Sequence, residues 1–188
     1  IVVFCFVGCK EEAALTPKPR MYPRIDFPTK AYEGVELEEC NFKFEKPTYA
    51  TIKRNMKFFD EIPDNACWFD LFMEDINTSI HFSYATINKE NPLDKLINDA
   101  FRLVAKHNTM ADYRDEIVIT NPQGLHGLLF KIEGPVASPI NFYLTDSTEN
   151  FVRAALYFNS AVNPDSIAPV LDFVGSDLDV ILRTFDFQ

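Results

Sequence analysis

Turn spacing is the strongest constraint in this chain. Four short apolar runs, at residues 117–120, 127–133, 141–145 and 151–158, are separated by Asn121-Pro122-Gln123-Gly124, by Gly134-Pro135 and by Asp146-Ser147-Thr148-Glu149-Asn150. Runs of that length bounded by Gly, Pro, Asn and Asp read as strands. Connections so short favour antiparallel neighbours, because a parallel return needs a crossover of a dozen residues or more. Two helical patterns flank this block. Before it, Asn91 is placed to cap, Pro92 fits the first turn, and Asp94 suits the positive end. Leu93, Leu96, Ile97, Ala100, Phe101 and Val104 then make one apolar stripe. After the block, a second helix is expected from Asn163-Pro164 to about Arg183, with Ile167, Val170, Leu171, Val174, Leu178, Ile181 and Leu182 facing inward. Pro169 falls early enough to be tolerated, and Gly175 is a candidate bend.

Upstream, residues 22–27, 41–45, 67–73 and 76–84 read as further extended segments. Ile76, Ile80, Phe82 and Tyr84 share one face of the last by the two-residue period. Strands, helix, strands, helix imply an α+β single domain with an antiparallel sheet covered by helices. The 188 residues, 47% hydrophobic and 14% aromatic, suffice for one such core. The net charge of −10 opposes unaided contact with nucleic acid phosphates and with anionic lipid heads.

Residues 1–8 are apolar or Gly, and the chain opens on Ile1. They read as the remnant of a cleaved targeting segment, too short to span a bilayer as they stand, and no later stretch is long and apolar enough to do so. Phe6-Val7-Gly8-Cys9 supplies bulky apolar residues, a small residue before the cut and a thiol for diacylglycerol, so Cys9 is the expected lipidation site and the link to a membrane. The alternative is a small buried cysteine in an N-terminal strand. Residues 9–20 then form a tether, and residues 21–188 the folded envelope domain. Lys10-Glu11-Glu12 is similar to a surface-export signal of some Bacteroidota lipoproteins, although any solvated tether has the same composition.

With Cys5 removed and Cys9 lipidated, Cys40 and Cys67 remain in a compartment where disulfides persist, and one bridge between them is the simplest reading. Two separately buried thiols are the alternative. Neither cysteine has a second Cys or a His at ligand spacing, so no metal is expected. Trp68 stands beside Cys67, where it can pack on a bridge. His81, His107 and His126 are scattered; His107, near a helix end, suits the helix dipole. Ser138 and Ser147 sit in turn-rich sequence without a nucleophile elbow. Asp177 and Asp179 are expected on a solvated helix face rather than around calcium, since the loop spacing is absent. No catalytic residue and no cofactor are expected from these patterns.

A series of ordered fragments carries a resemblance. They are Pro17-Lys18-Pro19-Arg20 with Tyr22, Arg24 and Phe27-Pro28; Cys40, Phe42, Phe44, Pro47 and Tyr49-Ala50; Cys67-Trp68; and Ser83-Tyr84. Later come Asn121-Pro122, Gly127, Gly134, Ala137-Ser138-Pro139, Phe142, Thr145-Asp146-Ser147, Phe151, Leu156-Tyr157-Phe158, Asp165-Ser166-Ile167 and Pro169. In order and spacing the chain resembles the gliding motility-associated lipoprotein GldD family of Bacteroidota. The element order also resembles the Mog1/PsbP-like sandwich, a likeness of fold alone. The family resemblance implies a non-enzymatic accessory or stabilising role in gliding motility and the allied type IX secretion machinery. It also implies partners among the other envelope proteins of that machinery. It supplies no catalytic residues. The competing expectation is an envelope ligand- or peptide-binding domain, or a hydrolase with an unrecognised site. A deep polar pocket with converging acids or histidines would favour it, whereas a shallow apolar surface with a polar rim favours the accessory role.

Overall fold

In the computed structural model, residues 25–37, 39–54, 67–106, 110–159 and 164–188 are described. The strands are Tyr32–Glu36 (β1), Phe42–Pro47 (β2), Thr51–Lys53 (β3), Phe69–Met73 (β4), Thr78–Thr86 (β5), Tyr113–Thr120 (β6), His126–Glu133 (β7), Ile140–Thr145 (β8), Asn150–Phe158 (β9) and Asp186–Phe187 (β10). The helices are Leu93–Ala105 (α1) and Pro164–Thr184 (α2). The strands form two sheets, one in the order β1-β2-β10 and one in the order β3-β4-β5-β9-β8-β7-β6. Every pairing is antiparallel. The fold is α+β, with the expected sheet divided in two.

Alternation along the central strands explains the layers. Ile80 and Phe82 on β5, Val152, Ala154 and Leu156 on β9, and Phe142 and Leu144 on β8 belong to one core with Val174, Leu178 and Ile181 of α2 and with the small sheet. Phe42, Phe44, Phe69, Phe82 and Phe185 interlock at its centre, with Phe69 and Phe82 stacked at 4.9 Å. Each such ring contributes about 1.5–3 kcal/mol on burial. The opposite sheet face carries a smaller core, in which Ala100 and Val104 of α1 meet Phe130, Ile132, Tyr143 and Phe151. Gly127 on β7 has no room for a side chain against β8, since a Cβ there would stand 1.8 Å from the Tyr143 carbonyl oxygen.

Three local expectations are corrected. Of the expected extended segment 22–27, residues 22–24 lie outside the described residues and 25–27 join no sheet; among the described residues the first strand starts at Tyr32. The segment 76–84 is not one strand. A 3-10 turn, Glu74–Ile76, ends at Asn77 in the left-handed region (φ 46°), whose amide donates to Asn159 O at 2.9 Å. Asn91 does not cap α1. Pro92 is the N-cap residue and offers no side chain for it, while Asn91 Oδ1 accepts from Lys95 Nζ at 3.0 Å.

Candidate functional site

The residues singled out for chemistry are spread over the fold. His81 faces Asp70 across the β4–β5 ladder, with its Nδ1 against Asp70 Oδ1 and its ring edge-on to Tyr157. His126 begins β7 and meets the Thr120 hydroxyl at 3.4 Å. Ser138 is buried with its hydroxyl toward Ile140 O, whereas Ser147 occupies the β8–β9 turn at φ 67°. That turn is tied by Asp146, whose Oδ1 accepts from the N–H groups of Thr148, Glu149 and Asn150 at 2.9 Å each. Burial raises the Asp146 pKa, but these bonds and the Asn150 amide outweigh it and pull the value down to about 2. Cys9 and His107 lie outside the described residues. Among the described residues no group of three or more His, Cys, Asp or Glu is arranged to hold a metal ion. Cys40 and Cys67 are bonded, with Cα atoms 5.6 Å apart.

Asp177 is not on a solvated face. It is fully buried, and its Oδ1 accepts from Lys30 Nζ at 2.7 Å and from Tyr32 OH at 2.8 Å, while Tyr49 OH donates to Oδ2. Lys30 also donates to Phe173 O at 2.6 Å and lies over the Phe173 ring, on which Phe27 stacks at 4.4 Å. This cluster fastens the segment before β1 to α2. Burial first, then the bond to Asp177, raises the pKa of Tyr32 to about 12, and the same causes raise that of Tyr49.

Two features suit an interaction surface. One is β6, an edge strand of eight residues. Val118 is 77%, Tyr113 57% and Ile117 37% exposed, with Met110 at 58% just before the strand. Asp112 N–H donates to Glu133 O, and Ile132 N–H donates to Pro139 O. Odd-numbered peptide groups of β7 therefore face β6 and even-numbered ones face β8. By the register, Arg114, Glu116, Val118 and Thr120 turn their N–H and C=O outward. Asp115 Oδ1 takes one of these donors, Glu116 N–H, at 2.9 Å. The second feature is an open groove of about 440 Å³ between α2 and β7–β8. Leu129, Leu171 and Leu182 line it, with Glu133, Asp172 and Asp179 among its polar residues. Ile117 lies opposite Leu129 on the same face, so groove and edge are continuous. Sequence periodicity marks 117–119 as apolar but carries no sign that this strand ends the sheet.

In the comparison with solved structures, cyanobacterial PsbP (CyanoP) from Synechocystis sp. PCC 6803 matches with a TM-score of 0.51 at 11% identity, over 86% of this chain and 95% of that one. At that identity the likeness is one of fold. No curated protein matches the chain. The family model described as gliding motility lipoprotein GldD matches residues 12–187, nearly the whole chain. The chain therefore belongs to the GldD family of gliding motility lipoproteins, whose members are lipid-anchored in the cell envelope.

Proposed function

We propose that this chain is a non-enzymatic accessory component of the gliding and type IX secretion machinery, which receives an extended segment of a partner envelope protein on the β6 edge. The exposure of Val118, Tyr113 and Ile117 beside outward-facing peptide groups carries this reading, since a long apolar edge left open invites strand addition. Charge narrows the partner's chemistry. Asp112, Asp115, Glu116, Glu133, Asp172 and Asp179 surround the edge and groove, against Arg114 and Lys131, in a chain of net charge −10. The fitting segment alternates apolar residues with lysine or arginine. A cofactor has no part in this role. The rival reading, a ligand-binding or hydrolytic domain, has no support from His81, His126, Ser138 and Ser147, which occupy separate strands and turns.

A photo-crosslinking residue at Val118 in a gliding bacterium should form an adduct with another envelope protein of that machinery, and one at Glu149 on the β8–β9 turn should not. Ile117→Lys with Val118→Glu should weaken the contact about tenfold to a hundredfold and reduce spreading at unchanged abundance. An adduct of two copies of this chain, or full motility of the double variant, would sink the docking assignment.

In the same reading Cys9 carries the lipid and residues 9–20 tether the domain of residues 21–188. A pull on the anchor reaches the fold at the segment that Asp177 holds. Cys9→Ser should leave an uncleaved precursor that incorporates no labelled palmitate; continued labelling would refute the assignment.

A further inference from the structure

Arg153 stands in the middle of the large sheet, on β9, opposite Ser83 of β5 and Tyr143 of β8. Ala155, two residues on and on the same face, is small, and it lines the space beside the side chain under α1. Arg153 lines two clefts under α1. One, of about 240 Å³, is bounded by Trp68, Ser83, Leu96 and Phe151; the other, of about 160 Å³, by Asn141 and Tyr157. The guanidinium is half-buried, and among the described residues neither it nor the Ser83 hydroxyl makes a hydrogen bond. Burial holds the Arg153 pKa below its ordinary value, with the fields of Tyr157 and Asp99 acting the other way.

A desolvated guanidinium with unspent donors is costly unless an anion meets it. Among the described residues Asp99 is the one carboxylate lining these clefts, and it already accepts from Arg102 at 2.9 Å. Among the described residues lining them, Arg102, Lys106 and Arg153 stand against Asp99, a local reversal of sign in a chain of net charge −10. We propose that the clefts at Arg153 form a binding site for a carboxylate that carries a short apolar body. The carboxylate would lie against the Arg153 fork and the Ser83 hydroxyl, and its apolar body against Leu96, Phe151 and Trp68. Arg102 is tied to Asp99, and Arg102 and Lys106 are both exposed to solvent, so the one desolvated cation in the clefts is Arg153, whose planar fork matches a carboxylate monoanion. This site is separate from the β6 edge and stands or falls without it.

Trp68 is the only tryptophan in the chain, so its fluorescence reports on the cleft. In detergent, the full chain should show a saturable change with N-acetyl-leucine at a millimolar dissociation constant, and none with N-acetyl-leucinamide. Arg153→Met should weaken binding at least about tenfold without lowering the melting temperature, since it removes a desolvated charge. In the unsubstituted protein the Arg153 Nε–Hε resonance should move in the same titration, which keeps the test open if the variant fails to fold. A peptide ending Gly-Ala-Leu distinguishes the sources: tighter binding than N-acetyl-leucine identifies a peptide C-terminus, and equal binding a free acid. No saturation by about 20 mM, equal binding of the amide or of inorganic phosphate, or a stationary Arg153 resonance would overturn the proposal.

Discussion

Asp177→Ala should destabilise the fold by about 3–5 kcal/mol, because it leaves two tyrosine hydroxyls against α2 without their acceptor and the Lys30 ammonium with the Phe173 carbonyl but no counter-charge. In thermal unfolding that amounts to a fall of about 6–20 °C for a chain of this size. Asp177→Asn, which keeps an acceptor and loses the charge, should fall between. Lys30→Met should cost about as much as the alanine change, since it strands a buried carboxylate. Replacing the cluster together, Asp177→Leu with Lys30→Met and Tyr49→Phe, should recover most of the loss, because a buried pair gains little over apolar packing once desolvation is counted. Alkali tests the same contact. The folded pKa of Tyr32, about 12, exceeds its ordinary value of 10.0. Its contribution is therefore fully present below pH 10 and is lost as the pH rises toward 12. Without Asp177 the folded value falls back toward 10.0, so that loss should be smaller and complete at lower pH. A change below about 1 kcal/mol in Asp177→Ala would return this residue to the solvated face that its sequence context suggests.

Asp177 also shows what limits reading such a sequence. Its partners, Lys30 and Tyr32, are 147 and 145 residues away, and an acid flanked by Asp172 and Asp179 on a helix has the local signature of a water-facing residue. The same limit applies to β6. Ile117, Val118 and Ile119 read as a core strand, yet strand order places them at the rim, where Val118 is mostly exposed. Local periodicity specifies which residues are able to be buried; partner choice between distant strands decides which are. Where the deciding contacts are local, the pattern sufficed. The stripe of α1, the run of β7, β8 and β9 through short turns, and the extent of α2 all follow from neighbours within a few residues. β1, β3 and β10 are three of the shorter strands, of 5, 3 and 2 residues, and depend on pairing with β2 or β4 for their existence. The division into two sheets was equally hidden, because the small sheet joins β1 and β2 to a strand at the other end of the chain.

Changing both Cys40 and Cys67 to alanine should cost about 4–5 kcal/mol, roughly 3.5 of it from the closed loop on the chain-entropy model and the rest from the lost packing. The bridge closes a separation of 27 residues, and both cysteines lie in the main core at 4% and 3% exposure. It fastens the turn before β2 in the small sheet to the residue before the Trp68–β4 segment of the large one, beside the stacked rings of Phe42, Phe44 and Phe69. Reduction without substitution leaves the side chains in place, so it should lower stability by the loop contribution alone, and the difference from the alanine pair measures the packing. Because the crosslink acts on the unfolded chain, denaturant unfolding should show a larger m-value as well as a lower midpoint once the bond is open. Amide exchange should quicken first in β1, β2 and β10, which the bridge and the phenylalanine stack hold together, and least in β7, β8 and β9, whose ladders it does not touch. An unchanged m-value with a lowered midpoint would place the effect in the folded state instead. Free thiols at both positions in protein taken from the envelope would show that the cell does not use the bond at all.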